Sequence, residues 1–264
     1  MIRILFVGDV MGSAGRRAVK TELEPVVDRE RVDFVVANVE NLAGGFGITA
    51  KVLEELDALP IQVWTTGNHV WDKKEGVPLL DAHPSLLRPA NYPDGNPGRG
   101  WCVEETASGV PVAVVNLQGQ ALMAPIDNPF RRADEILDEI ATEFPEVRVI
   151  LVDMHAEATS EKQGMGFYLD GRVTAVLGTH THVPTADERI LPNGTAFQTD
   201  VGMTGPYESV IGMKPKKILE RFLYNTPRPF EPAKRDLQLR GALIDADEAT
   251  GKATAIRRVK VEVG

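Results

Sequence analysis

Ile61-Gln62-Val63-Trp64-Thr65-Thr66-Gly67-Asn68-His69 begins as an apolar run and ends in two polar side chains beside a turn-forming glycine. That order predicts a buried strand whose end delivers a carboxamide and an imidazole to one place. The amide oxygen of Asn68 can ligate a hard metal; His69 can ligate or move a proton. Four other segments repeat the pattern of an apolar strand ending in a potential metal ligand. They end at Asp9, at Glu40-Asn41, at His155 and at His180-Thr181-His182. Together the five outline a site built from strand ends, with the rest of the chain as scaffold.

Working outward, Ile2 to Val7 reads as a first strand, Gly15 to Val27 as a helix, and Asp33 to Asn38 as a second strand. Thr49 is placed to cap a helix from Ala50 to Ala58 before the third strand. The resulting β-α-β-α-β order favours parallel strands with helices on their faces, and such sheets gather ligands at their carboxyl ends. A short helix is predicted from Lys74 to Ala82. Trp101 to Glu105 and Val110 to Asn116 read as a hairpin, which makes the sheet mixed.

Asn128 caps a helix that starts with Pro129, with Ala133, Ile136, Leu137, Ile140 and Ala141 on its apolar face. Strands over 147–152 and 173–177 lead to His155 and to His180 and His182. A hairpin turns at Pro192-Asn193-Gly194, a helix covers 214–224, and two antiparallel strands, 237–245 and 254–263, close the chain. No repeat, low-complexity tract or linker interrupts this order, so one domain over 1–264 is expected, with two packed mixed sheets and helices outside.

The chain has 264 residues, 43% hydrophobic and 25% charged, ordinary values for a globular α/β protein. Its formal net charge of -9 repels polyanions, so binding of long nucleic acid is not expected. A small phosphorylated ligand held by a local positive centre remains compatible. Cys102 is the one cysteine, which excludes an intrachain disulfide. The apolar N-terminal run is too short for a signal peptide and no stretch is long enough to span a bilayer; both point to a cytoplasmic location. A homo-oligomer is compatible with the sequence. Gly12-Ser13-Ala14-Gly15 lacks the spacing of a dinucleotide fingerprint and the Lys-Ser/Thr of a P-loop.

Asp9, Glu40, Asn41, Asn68, His155, His180 and His182 are oxygen and nitrogen donors with no thiolate, a mixture that suits Mn, Fe or Zn. Taken singly, an Asp at a strand end is usually a turn former, an Asn closes an Asx turn and a lone His is a hydrogen-bonded core residue. Their common position at strand ends makes those separate explanations inadequate. A carboxylate such as Glu40 can bridge two cations, and two metals about 3.5–4 Å apart can clamp a phosphoryl group.

Gly8-Asp9, Glu40-Asn41, Gly67-Asn68-His69, His155 and Gly178-Thr179-His180-Thr181-His182 resemble the ordered motif set of the calcineurin-like metallophosphoesterases. Gly8-Asp9-Val10-Met11-Gly12, Asn38-Val39-Glu40-Asn41, Gly67-Asn68-His69-Val70-Trp71-Asp72 and Thr199-Asp200-Val201-Gly202-Met203-Thr204-Gly205 are similar to its bacterial YmdB-like branch. The chain departs from the wider set in three places. Met11 replaces the His of D-x-H, and the branch resemblance implies that Asn41 fills its place. Glu40 stands where the superfamily has a bridging Asp. Val70 replaces the acid after His69, leaving Asp72 to orient that imidazole. These departures predict an altered metal preference and substrate range.

The resemblance implies a four-layer α/β/β/α sandwich and a dimetal phosphodiesterase acting on cyclic nucleotides, 2′,3′-cyclic AMP first among them. It implies one ion (Fe or Mn, with Zn as alternative) held by Asp9, Glu40, Asn41 and His182, and a second held by Glu40, Asn68, His155 and His180. It further implies attack by a metal-bridging hydroxide, protonation of the leaving oxygen by His69, and charge stabilisation by the amides of Gly44 and Gly45. The rivals are a phosphomonoesterase or nucleotidase of the same fold, and a metal-binding regulatory protein with little catalysis. Loss of the D-x-H histidine favours the regulatory protein; retention of His69, which the ligand scheme does not need, disfavours it.

Overall fold

The computed structural model describes residues 1–264. Its first sheet is built on β1 (Ile2–Val7), β2 (Phe34–Asn38) and β3 (Val63–Thr65), which run parallel as the sequence order predicts. The second sheet contains β4 (Trp101–Glu105), β5 (Pro111–Gln118), β6 (Val149–His155), β7 (Ala175–Thr179), β8 (Arg189–Ile190) and β9 (Ala196–Gln198), in the order β4-β5-β6-β7-β9-β8. The short β10 (Gly205–Pro206) returns the chain to the first sheet, where β11 (Leu237–Ala246) pairs antiparallel with β1 and with β12 (Ala253–Glu262).

Period-two alternation separates the layers. Ile4, Phe6, Val36 and Val63 of the first sheet meet Val112, Val114, Leu151 and Leu177 of the second in a shared core. The other face of the first sheet, including Leu5, Val7 and Val35, packs on Val19, Leu23 and Val26 of α1 (Gly12–Glu30). The outer face of the second, including Ala113, Val115 and Val152, packs on Ile136 and Ile140 of α4 (Pro129–Glu143). Each of the Val, Leu, Ile and Phe side chains among them contributes about 1.5–3 kcal/mol by burial. The architecture is therefore the expected four-layer α/β/β/α sandwich of two mixed sheets, with parallel strands of both sheets ending toward one rim.

Several elements differ in extent from the sequence expectation. The first helix gains a turn at each end and stops where Arg31 adopts the left-handed region at φ 55°. Thr49 caps α2 (Ala50–Glu54) as expected, but the helix gives way to tighter three-residue turns, with Leu56 N–H donating to Leu53 O, well before Ala58. The helix expected over 74–82 is split into a 3-10 turn at Lys74–Gly76 and α3 (Leu79–Ala82), around Pro78. Asn128 caps α4 with bonds from Phe130 N and Arg131 N, yet Ala141 is exposed rather than part of the apolar face. α5 (Thr159–Tyr168) was not predicted; α6 (Pro215–Tyr224) was. No helix is long and apolar enough to cross a membrane.

Candidate metal centre

All seven expected donors converge at the rim. Asp9 and the Glu40-Asn41 pair follow β1 and β2, Asn68 follows β3, His155 ends β6, and His180 and His182 follow β7. Asp9, Glu40, Asn41, His155 and His182 are buried; Asn68 and His180 are partly buried. His155 Nε2 lies 3.0 Å from Asn68 Oδ1, 3.2 Å from Glu40 Oε1 and 3.1 Å from His180 Nδ1. The ligand atoms of Glu40, His155 and His180 fall within 4.8 Å of one another. A second set adjoins the first: His182 Nε2 is 3.3 Å from Asn41 Oδ1, and Asp9 Oδ2 is 3.3 Å from the His180 amide nitrogen.

The hydrogen-bond partners fix which imidazole nitrogens point inward with lone pairs. The Thr179 hydroxyl donates to Asp153 Oδ1 at 2.7 Å, so toward His155 it can only accept, and His155 Nδ1–H donates to it at 2.9 Å. His182 Nδ1 lies 3.0 Å from the Ile211 carbonyl and must donate to it. His180 Nε2 faces Glu157 Oε2 at 3.2 Å and donates there. The remaining nitrogen of each ring, Nε2 of His155 and His182 and Nδ1 of His180, therefore turns a lone pair toward oxygen acceptors or another imidazole. Asp9 Oδ1 is buried with no hydrogen-bond partner. Such a ring of acceptors fits cations, and outward donation by each imidazole is the arrangement that orients metal-ligating histidines.

The electrostatics agree. Burial opposes a charge on His155, but the neighbouring Glu40 and Asp9 overcome it and push that imidazole up to about 9. Burial likewise opposes ionisation of Glu40, yet His155 and His69 bring it down to about 2. Asp9 is raised to about 6 by burial, against the pull of His182 and His155. His180 is lowered to about 3, by burial and then by the charge of His155. The proton that His155 gains sits on Nε2, the nitrogen facing Glu40, where a bound cation would take its place.

Backbone strain marks the same place. His180 and His182 both sit in the left-handed region, at φ 94° and φ 65°, rare for residues other than glycine. Asp200 holds this turn. Its Oδ2 accepts from Thr181 N at 3.1 Å, Thr181 Oγ1 at 2.7 Å and the buried Lys162 Nζ at 2.7 Å, and its Oδ1 accepts from Gly202 N at 2.8 Å. Gly67 is required for a different reason: a Cβ there would collide with the His155 ring and the Glu40 carboxylate.

Sequence reasoning missed the residues behind the donors. Asp153 Oδ2 accepts from Thr65 Oγ1 at 2.5 Å and Asn38 Nδ2 at 3.0 Å, while Oδ1 takes the Thr179 hydroxyl. Burial raises its carboxyl above the ordinary range, opposed by the charge of His155 and by these donors. The signal was a charged residue inside the apolar run Val149–His155, two positions before the histidine and so on the same face. Lys162 was missed with its helix.

Around the mouth, His69 Nδ1 lies 2.8 Å from Asp72 Oδ2, the pairing expected from sequence, and its backbone N–H donates to Glu40 Oε2 at 3.1 Å. The amides of Gly44 and Gly45 do not meet their expectation. They donate to Leu42 O at 3.2 Å and Asn41 O at 3.1 Å within their own loop, so neither is free for a phosphate. His83, the one histidine outside this cluster, is exposed.

A family model described as YmdB-like protein matches residues 5–259. The chain is 47% identical over 260 residues to a Bacillus subtilis protein named 2′,3′-cyclic-nucleotide 2′-phosphodiesterase, covering 98% of this chain and 97% of that one. It is 35% identical over 267 residues to a Mycoplasma pneumoniae protein named putative phosphatase/phosphodiesterase, covering 98% and 93%. Among solved structures, a hypothetical protein from Thermus thermophilus superposes with a TM-score of 0.91 at 42% identity, covering 99% of each chain. A structure described as a novel phosphatase from Mycoplasma pneumoniae superposes with a TM-score of 0.92 at 35% identity, covering 99% of this chain and 93% of that one.

Proposed function

The chain belongs to the YmdB-like family, and from that premise we propose that it is a dimetal phosphodiesterase hydrolysing cyclic nucleotides, with 2′,3′-cyclic AMP the leading substrate. The observation that carries this reading is the inward ring of lone pairs around Glu40, with every imidazole of the cluster donating outward. Asp9, Glu40, Asn41 and His182 would hold one ion, and Glu40, Asn68, His155 and His180 the other, with Fe or Mn the expected metals. Bound there, the ions supply charge neutralisation at the phosphoryl group and activation of water.

The chain's own side chains provide the rest. Asp72 accepts from His69 Nδ1–H, which holds the ring and leaves Nε2 as the nitrogen that hands a proton to the leaving ribose oxygen. Glu40, fixed by the His69 amide, is the carboxylate common to both sets. The acidic balance of -9 disfavours long RNA and leaves small diesters as the fitting substrate. The phosphatase names of the Mycoplasma relatives favour a second reading, a phosphomonoesterase. Side-by-side kcat/KM values for 2′,3′-cyclic AMP, a structured RNA and adenosine 3′-monophosphate decide between them. The cyclic diester is expected to be the best substrate; a higher value for either of the others would overturn the assignment.

A further inference from the structure

The pocket above the metal centre is lined by apolar side chains as well as polar ones, and nothing in the chemistry of phosphate hydrolysis calls for the apolar ones. The pocket has a volume of about 420 Å³, within the usual range for small-ligand sites. Its polar lining includes Glu40, Asn41, His69, Glu157, His180 and His182, and its apolar lining is Met11, Phe46, Ile211, Met213, Ile218 and Phe230.

Two of these residues sit where folding alone gives them little reason to be apolar. Phe46 is 36% exposed in a loop whose glycines Gly44, Gly45 and Gly47 all have positive φ, and its ring meets the His69 imidazole edge-on at 5.0 Å. Ile211 is 53% exposed and has φ 45°. It occupies, with Gly212 at φ 96°, a two-residue turn closed by Val210 N donating to Met213 O at 2.9 Å and Met213 N donating to Val210 O at 3.0 Å. Tight turns with both central residues left-handed prefer Asn-Gly, and a β-branched residue at positive φ is strained. The Ile211 carbonyl accepts from His182 Nδ1, so its main chain braces the metal centre while its side chain lines the pocket. Strain at an exposed β-branched residue points to a use for that side chain.

We propose that Phe46 and Ile211 form the nucleobase platform of this site, taking the flat heteroaromatic base of a nucleotide whose phosphate lies at the metal centre. The inference rests on the phosphodiesterase reading for its substrate. Neither side chain offers a hydrogen-bond donor or acceptor to read a base edge. Methionines beside them, Met11 and Met213, add an adaptable apolar floor. Recognition is therefore by stacking and contact area: purines bind better than pyrimidines, with little distinction between adenine and guanine.

The test uses the metal-loaded protein, 2′,3′-cyclic AMP and a baseless ring diester, glycerol 1,2-cyclic phosphate. Loss of one stacking partner typically weakens a base contact about tenfold or more. Phe46→Ala is expected to lower the ratio of kcat/KM for the nucleotide to that for the baseless ester by about tenfold, and Phe46→Trp to restore it. Ile211→Asn, which suits positive φ, is expected to raise Tm while lowering the same ratio; a purely structural isoleucine would leave the ratio alone. Adenosine 3′-monophosphate binding by calorimetry, against inorganic phosphate, reads the platform without turnover. If wild type turns over neither ester but Phe46→Ala weakens the nucleotide and not phosphate, the catalytic reading fails and the platform stands. Equal weakening of both substrates or both ligands by Phe46→Ala would overturn the platform.

Discussion

Replacing Asp153 with Asn should cost metal affinity at one ion and spare the other. The carboxylate now receives three donors: Thr179 on Oδ1, and Thr65 and Asn38 on Oδ2. An asparagine must point its NH2 at one of these sides. Toward Thr179, the hydroxyl becomes an acceptor and turns its own hydrogen to His155 Nδ1. The imidazole proton then moves to Nε2, and the lone pair facing Glu40, Asn68 and His180 is lost. Toward Thr65 and Asn38, the NH2 meets an amide donor at 3.0 Å that already serves Thr66 O.

Losing a hydrogen bond to a charged group costs about 1.5–3 kcal/mol, which converts to roughly 10–100-fold in an equilibrium constant. Loss of an outer partner of a metal ligand has a similar effect on affinity, about 10–100-fold. Chelator competition on the reconstituted protein, with Tm as the folding control, measures it. Thr179→Val should match Asp153→Asn, because it removes the same relay, and Thr179→Ser should remain near wild type. Wild-type affinity at both ions in Asp153→Asn, or equal weakening of the two, would refute the relay.

His69→Ala should keep its metal and lose about 10²–10⁴-fold in rate on a cyclic nucleotide. It should lose less on bis(p-nitrophenyl) phosphate, whose leaving group needs little protonation; equal losses on the two esters would rule out proton donation. Burial pushes the Cys102 thiol from 9.0 up to about 12, so at pH 8 it should react with a disulfide reagent about 10³-fold more slowly folded than in denaturant. A raised acid favours the folded state below its unfolded value and loses that advantage as it ionises, so the thiol's contribution should fade between pH 9 and 12. Comparing alkaline unfolding of wild type and Cys102→Ala checks the sign, since the variant should show a shallower loss over that window.

The layers and the donor positions were legible in the sequence because both depend on short-range regularities. Continuous apolar runs at Ile2–Val7 and Val149–His155 mark strands buried on both faces, and donors at strand ends follow from the parallel order. The second helix of the outer layer was illegible because Gly164 and Gly166 lower its intrinsic helix propensity. Gly166 is there for packing: a Cβ would press on the Phe197 ring. Long-range pairing was equally hidden. Asp153 reaches Asn38 and Thr65 only once the two sheets face each other, and Lys162 finds Asp200 only after α5 docks. The Gly44-Gly45 stretch misled in the opposite way. Its glycines looked like anion donors, whereas positive φ at both serves a loop that consumes its own amides and presents Phe46.

Metal stoichiometry tests the central claim most directly. Elemental analysis of the chain after reconstitution with Mn or Fe should give two ions per chain, and Glu40→Ala, lacking the carboxylate shared by both donor sets, should lose binding of both. One ion or none in the reconstituted wild type, or two ions retained in Glu40→Ala, would contradict a dimetal centre built around Glu40.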